Sequence, residues 1–128
     1  MSGHTPQLLD TCVLIDYLRG SEEAVRFIDS LQGRLLISAI SAAELYAGVQ
    51  GRAEEAPLAD FIASFEMVEI DLSVARQGGL WRNQYSKSHG VGLADALIAA
   101  CARRCRARLI TRNQKHFPML ADVVVPYL

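Results

Sequence analysis

Residues 7–20 read QLLDTCVLIDYLRG, and this stretch decides the fold. The apolar pair before Asp10 predicts the end of a buried strand, and the residues after it predict a helix that Gly20 ends. A strand that turns straight into a helix is typical of an open parallel sheet, which binds ligands at the carboxyl ends of its strands. Asp10 therefore lies at the predicted binding edge, although an acid at this position also suits the N-cap of the helix.

Strands and helices alternate along the rest of the chain. The predicted strands are residues 6–10, 35–38, 67–70, 108–111 and 123–125. The predicted helices are residues 11–19, 22–31, 42–49, 57–65, 73–88 (capped by Ser73) and 93–104, and residues 50–56 are the expected exposed loop. This alternation predicts a three-layer α/β/α fold with a mainly parallel central sheet.

Length and composition predict one domain over residues 1–128. The chain is 51% hydrophobic and has a net charge of −1, and a chain of this size buries about two-thirds of its unfolded surface. No apolar run approaches the roughly 18–20 residues that span a bilayer, and no signal peptide is evident. The three cysteines show no disulfide framework, so we expect a cytoplasmic protein with reduced thiols and no membrane association.

Three acids have no obvious local partner: Asp10, Glu44 and Asp95. Asp95 falls within the apolar stretch 92–102, where the alternative is a favourable interaction with a helix dipole. Glu44 has its own alternative, a capping box with Ser41. One shared cation explains all three acids together, because two carboxylates about 5 Å apart repel by roughly 3 kcal/mol at an effective dielectric near 20. Oxygen ligands without Cys or His favour Mg²⁺ or Mn²⁺ over zinc.

Four stretches in this order resemble a PIN domain of the VapC toxin branch: residues 8–18, 37–48, 93–99 and 109–117. The resemblance implies a PIN-like fold and a metal-dependent endoribonuclease in which Asp10, Glu44 and Asp95 hold the metal. It also implies an RNA substrate, a cognate VapB-type antitoxin that keeps the toxin inactive, and a homodimer.

Two positions depart from the pattern of that family. Asn113 stands where many members carry a fourth acid, and His116 stands before Phe117 where an acid is frequent. Asn113 still offers a neutral oxygen, so we keep it in the catalytic set and expect a second cation to bind less tightly. His116 is interpreted as a solvated surface residue in preference to a phosphate or proton-transfer contact.

The charge is divided unevenly along the chain. Residues 1–72 hold 4 Lys/Arg and 12 Asp/Glu, whereas residues 73–128 hold 9 Lys/Arg and 2 Asp/Glu. Six basic residues follow Asp95 and are expected to form a basic rim for the RNA backbone: Arg103, Arg104, Arg106, Arg108, Arg112 and Lys115. Cations at a helix end explain the first two equally well. We assign Arg112, Lys115 and Thr11 to substrate binding.

Water is the expected nucleophile, because the three histidines have no Ser or Cys nucleophile context. Two alternatives to a toxin remain open, namely a PIN-domain nuclease in RNA processing or decay and a non-catalytic PIN-like binding module. A phosphoacceptor receiver domain is excluded, since Asp10 has no adjacent acid and no Lys follows the last strand.

Overall fold

The computed structural model describes residues 5–127. The strands are β1 (Gln7–Leu9), β2 (Leu35–Ser38), β3 (Glu66–Val68), β4 (Arg108–Ile110) and β5 (Val123–Val124). The helices are α1 (Thr11–Leu18), α2 (Glu22–Ser30), α3 (Ala39–Ala47), α4 (Arg52–Ala63), α5 (Leu72–His89) and α6 (Leu93–Arg104), with a 3₁₀ turn at Gln114–His116.

All five strands are parallel, in the order β3-β2-β1-β4-β5. The chain moves outward from β1 to β3 and then returns to the other side of β1 with β4. The strand order therefore reverses between β1 and β4, and open sheets of this kind bind ligands outside the carboxyl ends of the strands at such a point. Asp10 and Thr111 directly follow these two strands.

Helices cover both faces of the sheet, which confirms the predicted three-layer α/β/α architecture. Leu8 points into a core formed with α5 and α6, whereas Leu9 points into a second core formed with α1, α2, α3 and α4. This alternation follows from the two-residue period of a strand. Both side chains are fully buried, so β1 fixes Asp10 between the two layers.

The helices α5 and α6 pack closely at Gly78. A Cβ atom there would come within 2.6 Å of Leu97 Cδ2 and 3.1 Å of Leu97 Cα, so glycine permits this approach. The short connection through Gly90 and Gly92 then places the first turn of α6 at the end of α5. This hairpin sets the position of Asp95.

Three predicted helix starts were wrong. Ser38, and not Ser41, caps α3 by accepting from the Ser41 amide at 3.0 Å. The capping box between Ser41 and Glu44 is therefore not formed. Asp71 caps α5 in place of Ser73.

The third wrong start is that of α4, which begins at Arg52 and includes Pro57. The Glu54 carboxylate accepts from the Gln50 amide at 3.0 Å and supports the first turn. Much of the expected loop 50–56 is therefore helical. Within the described residues, no helix is long and apolar enough to cross a bilayer.

Candidate active site

Asp10 is a buried carboxylate with both oxygens hydrogen-bonded. Oδ1 accepts from the Thr11 amide at 2.8 Å, so Asp10 also caps α1. Oδ2 accepts from the Thr111 hydroxyl at 2.6 Å and from Cys12 Sγ at 3.5 Å. Only 4% of the residue is exposed. Capping and a functional role are therefore compatible at this position, since the side chain is fixed at the strand-order reversal.

Glu44 reaches the same region from α3. Its Oε1 accepts from the Thr11 hydroxyl at 2.7 Å, and that hydroxyl also lies 2.8 Å from Ser41 Oγ. Thr11 and Ser41 are buried, whereas the Glu44 residue is exposed. The Thr11 hydroxyl thus orients Glu44 toward the site, and the assignment of Thr11 to substrate binding stays a prediction.

Asp95 lies in the first turn of α6, and its side-chain partner is His116. The His116 Nδ1 and Asp95 Oδ2 atoms are 3.3 Å apart, and about a third of each side chain is exposed. The interpretation of His116 as a solvated surface residue was therefore wrong. Burial raises the pKa of Asp95, the carboxylates of Asp10 and Glu44 raise it further, and His116 opposes this rise.

The residues after β4 run along the edge of this site. Thr111 is fully buried, and its hydroxyl oxygen accepts from the Asn113 amide at 3.0 Å. The Asn113 and Lys115 side chains are exposed. The Nε atom of Arg112 lies 3.0 Å from Asp16 Oδ2, so this guanidinium is already in an ion pair.

Asp10 and Glu44 therefore meet at Thr11, and Asp95 is near enough for the charges of both to raise its pKa. Across residues 5–127, no three His, Cys, Asp or Glu side chains lie close enough to hold a metal ion as they stand. The donor chemistry nonetheless fits a hard cation, because the available ligands are carboxylate oxygens. Burial is the main cause of the raised pKa of Asp95, and the negative charges of Asp10 and Glu44 add to it.

The expected basic rim is largely at the other edge of the sheet. The helix α6 is roughly 18 Å long, at 1.5 Å per residue, and its last turn leads into the start of β4. Arg108 pairs in register with Gln7, the first residue of β1, so both lie at the amino edge. The residues that lie away from Asp95 are Arg103, Arg104, Arg106 and Arg108.

Local partners account for most of these distant cations. Arg104 forms an ion pair with Asp71, and Arg108 Nε lies 3.2 Å from Asp122 Oδ1. The Arg103 guanidinium lies over the Trp81 ring, 5.6 Å from its centroid. The expectation that these residues surround the acidic site was wrong, because a helix of three turns places residues that are close in sequence at opposite ends.

Sequence reasoning missed the polar residues that orient the acids. Thr111 and Ser41 are both fully buried and both lie at the carboxyl edge of the sheet. A hydroxyl residue directly after a buried strand, as Thr111 is after Ile110, was the available signal. No local signal in the sequence pointed to Asp16, because its partners Arg112 and Tyr127 are distant along the chain.

A groove of about 670 Å³ opens beside Glu44. It lies between α1, α3 and the first half of α4. Its walls are mainly apolar, with charged side chains at Glu44, Arg19 and Glu54; the apolar lining consists of Ile15, Leu18, Leu45, Val49, Ala53, Pro57 and Leu58.

Comparisons with known proteins agree with this geometry. The family model described as "PIN domain" matches residues 8–122. Ribonuclease VapC19 of Mycobacterium tuberculosis is 35% identical over 125 residues, which cover 94% of this chain and 99% of the relative. Ribonuclease VapC10 of the same species is 37% identical over 123 residues, with coverage of 94% and 92%.

Solved structures show the same fold. A chain of a toxin–antitoxin complex from Klebsiella pneumoniae superposes with a TM-score of 0.83 at 30% identity, covering 94% of this chain and 98% of that one. A chain of FitAcB from Neisseria gonorrhoeae superposes with a TM-score of 0.74, also at 30% identity, with coverage of 94% and 97%.

Proposed function

The chain belongs to the PIN-domain family, and from that premise we propose that it is an endoribonuclease acting as the toxin of a VapC-type toxin–antitoxin pair. Two relatives that are named ribonucleases align with nearly its whole length. A similar chain of known structure belongs to a toxin–antitoxin complex. In the proposed activity, the protein hydrolyses RNA and thereby inhibits translation and growth.

The proposal includes a site for Mg²⁺ or Mn²⁺ held by Asp10, Glu44 and Asp95. The observation that carries it is the meeting of Asp10 and Glu44 at Thr11, with Asp95 near enough that burial and the two carboxylates raise its pKa. A cation removes this repulsion. When bound, such a metal lowers the pKa of a water and neutralises the charge that develops on the reacting phosphate.

The protein's own residues prepare this chemistry. Thr111 and the Thr11 amide hold Asp10 rigid from two sides, and the Thr11 hydroxyl orients Glu44. Asn113 adds an uncharged oxygen at the exposed edge. Water is the nucleophile in the proposed reaction, and His116 lies beside Asp95, where it opposes the rise in the pKa of that acid.

Lys115 is the cation that we propose for the RNA backbone. It is exposed in the turn that also carries His116, and no carboxylate of residues 5–127 forms an ion pair with it. Arg112 is less available, because Asp16 already pairs with it. The RNA therefore approaches over the 3₁₀ turn.

The apolar groove beside Glu44 is the proposed seat of the antitoxin. A peptide bound there would lie against Leu45 and Leu58 and end next to a site carboxylate. Val49→Glu, in the groove wall, should prevent binding of a VapB-type antitoxin while cleavage persists. We also propose a homodimer, which light scattering on the purified protein tests.

A cleavage assay with a matched control tests the proposed activity. Asp95→Asn should abolish Mn²⁺-dependent cleavage of RNA, whereas Asp122→Asn, at the amino edge of the sheet, should leave it unchanged. Full cleavage by folded Asp95→Asn protein would refute the site. No cleavage by the unmodified protein would favour the non-catalytic module, and rescue of growth by a neighbouring antitoxin separates a toxin from a processing nuclease.

A further inference from the structure

Asp16 is an acid outside the proposed carboxylate set, and it joins three distant parts of the chain. Its side chain is 20% exposed near the end of α1. One oxygen, Oδ2, receives two donors: the Tyr127 hydroxyl at 2.8 Å and Arg112 Nε at 3.0 Å. The carboxylate thus ties α1 to the segment after β4 and to the segment after β5.

Arg112 stands between two residues that are bonded into the site. Thr111 before it donates to Asp10, and the amide of Asn113 after it donates back to the Thr111 hydroxyl. Since Asp10 caps α1 and Asp16 lies in that same helix, the pair between Asp16 and Arg112 fixes the segment at a second point on α1. A second contact with the same helix restricts how far the segment can rotate about its contact with Asp10.

The same segment leads directly to the far side of the site. The 3₁₀ turn begins at Gln114 and ends at His116, whose Nδ1 lies 3.3 Å from Asp95 Oδ2. A shift of residue 112 would therefore displace its neighbour Asn113 and, through the 3₁₀ turn, His116 beside Asp95.

The chain contains a matched pair that lacks this connection. Arg108, at the other end of β4, pairs through Nε with Asp122 at 3.2 Å. The two arginines are equally exposed, at 42% for Arg108 and 43% for Arg112. The acids differ, because Asp16 is 20% exposed and also accepts from the Tyr127 hydroxyl, whereas Asp122 is 60% exposed. The closest comparison is therefore between Arg112→Gln and Arg108→Gln, and the stability of each variant is measured beside its activity.

We infer that Asp16 is a positioning residue for the ribonuclease reaction, and that it acts through Arg112 by holding Asn113 and His116 at the acidic site. The inference rests on the proposed nuclease function. It gives Arg112 a role different from the contact with RNA that the sequence alone suggested.

A double-mutant cycle on RNA cleavage tests this inference. Asp16→Asn and Arg112→Gln should each lower kcat by about 10–100-fold with KM nearly unchanged, because small displacements of reacting groups reduce rates by such factors. The double variant should be no slower than either single variant, since Arg112→Gln removes one partner and Asp16→Asn removes the charge of the other in the same ion pair. Asp122→Asn and Arg108→Gln should leave kcat unchanged, and Arg108→Gln is the control for Arg112→Gln at equal arginine exposure.

The opposite pattern would overturn the inference. If Arg112 contacts RNA, Arg112→Gln raises KM, and Asp16→Asn leaves kcat intact while it releases the arginine for tighter RNA binding. Equal losses of kcat in the Asp16 and Asp122 variants would also overturn it, because they would indicate a general effect of lost stability.

Hydrogen exchange at the Asn113 amide provides a readout that needs no catalysis. This amide donates to Thr111 and should exchange slowly in the unmodified protein. Asp16→Asn should speed its exchange by about 10-fold or more, the equivalent of 1.4 kcal/mol, whereas Asp122→Asn should not. Unchanged exchange in Asp16→Asn protein would overturn the positioning role, and an inactive unmodified protein with the expected exchange pattern would refute the nuclease function alone.

Discussion

Thr111→Val should remove a hydrogen bond that holds the Asp10 carboxylate in place at the candidate site. The Thr111 hydroxyl donates to Asp10 Oδ2 at 2.6 Å and accepts from the Asn113 amide at 3.0 Å. Valine has nearly the same shape as threonine, so the substitution removes both hydrogen bonds without opening a cavity. The position is fully buried, and water cannot replace the lost partner.

The expected loss of stability follows from these two bonds. A hydrogen bond to a charged group contributes about 1.5–3 kcal/mol, and one between neutral groups contributes about 0.5–1.5 kcal/mol. Burial of a methyl group in place of a hydroxyl offsets part of this loss. We therefore expect the free energy of unfolding to fall by about 2–3 kcal/mol, which lowers Tm by roughly 8–12 °C for a domain of this size.

Urea denaturation and RNA cleavage measure the two consequences together. The midpoint should fall at constant m value, and Mn²⁺ affinity or cleavage should fall about 10–100-fold, as for other residues that orient a metal ligand. Thr111→Ser is the control: it keeps the hydroxyl, so it should retain activity while it loses about 1 kcal/mol for the missing methyl group. A Thr111→Val protein with unchanged stability and full cleavage would refute the role of Thr111 in holding Asp10.

Three further substitutions separate the charges of the site. Asp95→Asn should raise the free energy of unfolding at pH 7; because burial and neighbouring carboxylates raise the pKa of Asp95 in the folded state, ionised Asp95 destabilises the fold, and the gain should disappear as pH falls below about 4, where the unfolded acid is also protonated. Urea titrations at pH 7 and pH 3.5 measure this difference, and an equal gain at both values would contradict it. We expect the unmodified protein to bind one Mn²⁺ ion tightly and Asn113→Asp to add a second tight site, which calorimetry detects; two tight sites before the change would exclude this reasoning. Lys115→Ala should flatten the log–log dependence of RNA affinity on salt by about 0.7, measured with a non-cleavable RNA, whereas Arg103→Ala at the opposite edge should not; equal slopes for Lys115→Ala and unmodified protein would place the RNA elsewhere.

The layer architecture followed from the sequence because its signals are local. Short apolar runs separated by helical stretches predict parallel strands, and the two strands that flank the strand-order reversal, β1 and β4, were within one residue of their predicted ends. The position of Asp10 at the carboxyl edge depends only on this alternation. The assignment of Glu44 and Asp95 to the same site stays a prediction.

Helix starts were less predictable, because several residues compete for the same cap. Ser38 and Ser41 both suit the N-cap of α3, and the choice of Ser38 follows from its place at the end of β2, where it is fully buried. Pro57 suggested a helix start, yet α4 begins at Arg52 because Glu54 supports its first turn. These contacts lie within a few residues, but the sequence does not rank them.

Contacts between distant parts of the chain were beyond the reach of local patterns. His116 resembles a surface residue until the fold brings Asp95 to 3.3 Å. Arg104 is nine residues from Asp95 but lies at the other end of α6, where it pairs with Asp71. Distance along the sequence is therefore a poor guide to distance in space, because a helix separates residues that are close in sequence and a parallel sheet brings together residues that are far apart in it.

The three acids differ in how firmly the protein holds them, and this difference bears on how a cation would bind. Asp10 is buried with three donors on its two oxygens, so its position is set before any ligand arrives. Glu44 is exposed and has one hydroxyl partner, and Asp95 has a histidine. When the three acids close around a metal, Asp10 therefore needs to move little. Glu44 needs to move most, and its flexible side chain loses rotamer freedom. Substitutions of Thr11, which limits that freedom, should therefore change the affinity for the metal. Their effect should be larger than that of substitutions that alter only the solvent-exposed surroundings of Glu44.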